Sequence, residues 1–153
     1  NKQRLYPMNY SYKVSCCKDQ LQSVRDFVRN TLSNYIISDI EMHQMVLAVD
    51  EVCSNLMIHS HQCNPKHSLE LRIQIDREAG VTFEIYDYGK GFNFKQYKEP
   101  CINQIIKDKR KGGVGLLLVR RIMDQVDYDF QQKTHRNVYR LYKKLSLQPT
   151  VRP

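Results

Sequence analysis

Three short motifs in fixed order constrain this chain more than any other feature: Glu51-Val-Cys-Ser-Asn55, then Asp87-Tyr-Gly89-Lys-Gly91, then Gly112-Gly113-Val114-Gly115-Leu116. Glu51 and Asn55 have helical i, i+4 spacing and so project from one face of a helix. A carboxylate and an amide then converge. The first can take a proton from an attacking hydroxyl, and the second is a hard oxygen ligand of the kind magnesium accepts beside waters and phosphates. Asp87 closes the alternating run Val81-Thr-Phe-Glu-Ile-Tyr86, which reads as a strand, and Gly89 and Gly91 let the backbone turn sharply beside a flat ligand. An acceptor-only carboxylate at that point suits an exocyclic amine, such as adenine carries. The third motif runs into Leu116-Leu-Leu-Val-Arg-Arg-Ile-Met123, an expected helix whose N-terminal amides and dipole favour an anion such as phosphate.

The elements between the motifs follow from periodicity. Met8, Tyr10, Tyr12, Val14 and Cys16 alternate as a first strand, and Leu21, Val24, Phe27, Val28 and Leu32 mark the inner face of a helix from about Lys18. Ser38-Asp-Ile-Glu41 is a capping-box pattern that starts a second helix, which continues to Leu56 and carries Glu51 and Asn55. Leu69, Leu71, Ile73 and Ile75 alternate in a strand, and Arg77-Glu-Ala-Gly80 is a hairpin turn into the strand that ends at Asp87. Residues 92–111 have little pattern. A third helix is expected from Gly115 to about Gln125, then strands near Val126–Gln132 and Val138–Leu145, with residues 146–153 as a frayed tail. The sum is an α+β two-layer sandwich, three helices on one face of a mixed, mostly antiparallel sheet, in a single domain over residues 1–153.

At 153 residues the chain is long enough to bury a core, and 41% hydrophobic with 26% charged residues is an ordinary soluble composition. It holds no signal-peptide pattern and no apolar run near the roughly 20 residues that span a bilayer, so a cytoplasmic location without membrane contact is expected. Cysteines 16, 17, 53, 63 and 101 show no C-x-x-C pairing and fit a reducing compartment, with Cys53 a small core residue. His59, His61, Cys63 and His67 lack zinc-finger spacing and read as a solvated loop. The formal charge of +8 gathers in residues 107–111 and in Arg140, Lys143 and Lys144. Without interleaved aromatics such clusters are solvated faces before they are a nucleic-acid surface.

Taken together and in this order, the motifs resemble the Bergerat-fold (GHKL) ATP-binding domain shared by gyrases, sensor histidine kinases and the MutL mismatch-repair proteins. His59, four residues after Asn55, and the segment Gly113 to Tyr128 narrow the resemblance to the bacterial anti-sigma-factor serine kinases, over about residues 10–145. The resemblance implies ATP and Mg2+ as cofactors, Glu51 as general base, Asn55 as the magnesium ligand and Asp87 as the adenine anchor. Gly89, Gly91, Gly113 and Gly115 would shape the pocket, with Gly112, Val114 and Leu116 in the same loop and Lys111 toward the phosphates, where the family often has arginine. Residues 92–111 would be a short lid over ATP. The last strand departs from the family: it reads Arg136-Asn137-Val138 where Gly-Thr or similar is usual.

The activity implied is ATP-dependent phosphorylation of a serine on a small anti-sigma antagonist protein, together with sequestration of a sigma factor, by a protein that is commonly a homodimer. A histidine kinase catalytic domain shares the pocket but needs a separate helical hairpin bearing a histidine, and no such segment fits within these 153 residues. The alternative from another class is a nucleotide-binding regulator that holds its partner without phosphotransfer; an intact Glu51 argues against it.

Overall fold

The computed structural model describes residues 7–89 and 113–150. Five strands form one sheet: β1 (Met8–Ser15), β2 (Ser68–Asp76), β3 (Gly80–Asp87), β4 (Gln125–Gln131) and β5 (Arg136–Lys144), in the order β1-β2-β3-β5-β4. All four ladders are antiparallel. The helices are α1 (Leu21–Leu32), preceded by a 3-10 turn at Lys18–Gln20, α2 (Asp39–Asn55) and α3 (Gly113–Ile122). α2 packs between α1 and α3.

Strand alternation gives the two faces of the sheet opposite characters. Leu69, Leu71, Ile73 and Ile75 of β2 and Val81, Phe83 and Ile85 of β3 are buried, and with Val24, Val28, Leu32, Met45, Val49 and Val52 from the helices they form one core. Each such side chain contributes roughly 1.5–3 kcal/mol on full burial. On the other face, charges pair: Glu84 with Arg140 at 2.8 Å, Glu70 with Arg72 at 3.2 Å and with Arg136 at 3.5 Å, while both of these arginines stack on the Tyr86 ring. The sheet therefore has one helix-covered face, as the sandwich expected from sequence requires.

The helix start falls where the sequence predicts, capped by Ser38: its Oγ accepts from the Glu41 backbone N–H at 3.2 Å and donates to the Glu41 carboxylate at 2.9 Å. Two departures from expectation stand out. α3 stops at Ile122 rather than near Gln125, because the Asp124 N–H bonds Tyr142 O, which takes the chain into the sheet, and Lys143 Nζ donates to the free Ile122 carbonyl. The expected frayed tail is instead pinned through residue 150. Leu147 is buried, its N–H bonds Arg77 O, Ile36 N–H bonds Gln148 O, and Thr150 N–H bonds Asn34 O. One apolar residue in a polar segment is enough to dock a terminus when its backbone finds partners. Among the described residues no helix is long and apolar enough to cross a membrane.

Candidate functional site

α2 delivers the first motif. Val49, Val52, Cys53 and Leu56 face the core, so Glu51 and Asn55 emerge at its flank, half-buried. Asn55 Nδ2 donates to Glu51 O at 2.7 Å, which commits the amide's N–H end and leaves its oxygen as the end suited to a cation. The Glu51 carboxylate lies against Gly115 in the first turn of α3, where a Cβ would collide with Glu51 Oε2. That close approach is why glycine stands there. Glu51 is held above the ordinary carboxylate range, first by burial and then by neighbouring Asp50, which itself pairs with Arg25 at 2.8 Å. A carboxylate poised this way is a competent proton acceptor.

Asp87 ends the inward-facing row of β3 that begins Val81, Phe83, Ile85, and its side chain is fully buried. Its Oδ2 lies 2.6 Å from His61 Nε2; its Oδ1 is buried with no hydrogen-bond partner among the described residues. A buried carboxylate oxygen left open is costly unless a donor meets it, and the exocyclic amine of adenine is such a donor. The open atom thus fits the base-anchoring role the sequence suggests for Asp87. Gly89 follows at φ +131°, a backbone conformation that side chains rarely adopt, which explains the glycine.

Two residues that sequence reasoning did not place are brought here. His61, expected in a solvated loop, is buried against Asp87. The reason is that α2 does not simply end: Leu56–Ser60 form one π-helical turn, with the His61 N–H bonded to Leu56 O, and this turn swings the ring inward. Among the described residues no group of three or more His, Cys, Asp or Glu side chains is arranged to hold a metal ion. Asn137, the departure in the last strand, pairs across the sheet with Asp87 and is buried. Its Nδ2 donates to Gly89 O at 2.8 Å and its Oδ1 accepts from Tyr128 OH at 2.6 Å, so it braces the second motif. A polar residue on the apolar face of β5 was the available signal; His61 had none. Gly91, Lys111, Gly112 and the lid at 92–111 lie outside the described residues, as does the side chain of Val114. Gly113 opens α3 and Leu116 is partly buried against the core.

The histidine kinase-like ATPase domain model matches residues 15–143. Curated relatives include proteins named serine-protein kinase RsbW. That of Halalkalibacterium halodurans is 28% identical over 97 residues, covering 61% of this chain and 57% of the relative. Those of Bacillus pumilus and Bacillus licheniformis are 27% and 29% identical, over 65% of this chain and 67% and 66% of theirs. The match thus spans between somewhat over half and two thirds of the relatives' length. With a family match that runs from the end of β1 to the end of β5 and takes in all three motifs, this chain belongs to the histidine kinase-like ATPase domain family.

Proposed function

We propose that the protein is an ATP-dependent serine protein kinase of the anti-sigma type, which phosphorylates an anti-sigma antagonist protein and sequesters a sigma factor in the cytoplasm. The observation that supports it best is the pairing of a desolvated Glu51 carboxylate with Gly115 of α3, alongside a buried Asp87 whose Oδ1 lacks a donor. In this reading Asp87 takes the adenine amine, and the phosphates lie toward the start of α3. The serine Oγ attacks the γ-phosphorus, Glu51 accepts the hydroxyl proton, and ADP leaves with the electrons of the broken bond. Asn55 would hold a magnesium ion through its amide oxygen, and the ion would supply charge neutralisation on the phosphates. Kinship with proteins named serine-protein kinase points to serine as acceptor.

The test is incubation of the chain with radiolabelled ATP, magnesium and the antagonist encoded nearest its gene. Label is expected on serine, and Glu51→Gln, which keeps shape but cannot accept the proton, is expected to transfer about 10²-fold more slowly while still binding ATP. A mutant as fast as wild type removes Glu51 from the role of base. A wild type that binds ATP yet labels no serine of a cognate antagonist makes the protein a nucleotide-dependent binding regulator instead.

A further inference from the structure

His61 does more than fill space beneath Asp87. The π-helical turn that aims it is followed by two non-glycine residues in the left-handed region, Gln62 at φ 52° and Cys63 at φ 55°. Such backbone persists where the surroundings over-determine it, often at functional sites. On its far side, His61 Nδ1 lies 3.0 Å from Nδ1 of His67, which is exposed, with the two rings edge to face. A chain of hydrogen bonds thus runs from solvent, through His67 and His61, to Asp87 Oδ2, and the other carboxylate oxygen is the open Oδ1.

A carboxylate oxygen accepts, so His61 Nε2 is the donor to Asp87 Oδ2. The two facing Nδ1 atoms then share one hydrogen, given by either ring. The other titratable groups facing Asp87 are Cys16, at the end of β1, and Tyr128 of β4. The Cys16 thiol is pushed up to about 11, first by burial and then by Asp87, and the Tyr128 phenol is pushed up by burial first, then by Asp87 and Asp129. Both are neutral near pH 7.

We propose that His61 is a positioning and specificity residue of the base pocket: by occupying Asp87 Oδ2 it fixes the carboxylate and leaves Oδ1 as the open acceptor, selecting a 6-amino over a 6-oxo purine, with His67 holding the His61 ring from behind. The inference rests on the nucleotide reading above. Without the His61 donor the carboxyl loses the contact that aims Oδ1 at the base. Discrimination is then lost along with affinity.

The experiment is calorimetry of the full chain with ATP and ITP, each with magnesium. The wild type is expected to prefer ATP. His61→Leu is expected to bind ATP about 10-fold more weakly, with the ATP to ITP ratio falling toward one. His61→Gln, whose amide N–H reaches the Nε2 position, is expected to recover the preference. His67→Ala, at an exposed position that leaves the core intact, is expected to lower the ratio less than His61→Leu does. A His61→Leu protein with the wild-type ratio overturns the inference, as does a His61→Gln protein that discriminates no better than His61→Leu. A wild type that binds neither nucleotide overturns the nucleotide reading itself, a result distinct from ATP binding that is indifferent to His61.

Discussion

Glu51, Asn55 and Asp87 were legible in the sequence because their chemistry is local: an i, i+4 pair on a helix and a carboxylate at the end of an alternating strand. His61 and Asn137 were not, because their roles arise from a π-helical turn and from the register that sets Asn137 opposite Asp87. Gly115 offers a residue-scale test. Alanine is favoured over glycine in a helix by up to about 1 kcal/mol, so Gly115→Ala is expected to be as stable as wild type or more so. Its Cβ displaces the flexible Glu51 carboxylate, however, and phosphotransfer is expected to fall about 10-fold or more. A stable variant with the wild-type rate removes that contact from the mechanism. The pH behaviour of Glu51 has a definite sign. Its carboxyl is raised by burial and by Asp50, so the acid limb of the pH–rate profile is expected above the ordinary glutamate value of about 4.3. Because the raised group favours its neutral form, its stabilising contribution is present below the unfolded value and lost as pH rises through the folded one. At neutral pH Glu51→Gln is therefore expected to melt no lower than wild type.

At the scale of elements, starts were easier to read than ends. The start of α2 is written in a few residues, Ser38 to Glu41, and the Ser38 hydroxyl bonds both the Glu41 N–H and the Glu41 carboxylate. Ser38→Ala is expected to cost about 1 kcal/mol in denaturant unfolding, without altering nucleotide affinity. A loss near zero means that solvent satisfies the Glu41 N–H as well as the cap does. The far end of α2 carries no such signature. Its π-helical turn depends on the Cys63 N–H bonding Met57 O and the Cys16 N–H bonding His67 O, contacts with the chain's own loop and with β1 that periodicity does not encode. The end of α3 was misplaced for the same reason, since the competitor that stops it is the carbonyl of Tyr142 in β5.

At the scale of the molecule, the two-layer sandwich followed from counting amphipathic elements, but the docking of the C-terminal segment did not. Leu147 is buried, its backbone bonds Arg77 and its neighbours bond the turn after α1, so Leu147→Ala is expected to destabilise the domain by about 2–5 kcal/mol, read as a lowered denaturation midpoint. A change below about 0.5 kcal/mol means the segment merely rests on the surface. The strand order has a further consequence, in time rather than in space. β2–β3 and β4–β5 are hairpins, yet β1 waits for a partner that begins at Ser68, and β3 waits for one that begins at Arg136. Loops of that length close late, and folding dominated by such distant pairings runs in milliseconds to seconds. On the ribosome, at about 5–20 residues per second, β1 spends seconds without β2, so this part of the nascent chain is expected to be most exposed to aggregation before β2 emerges.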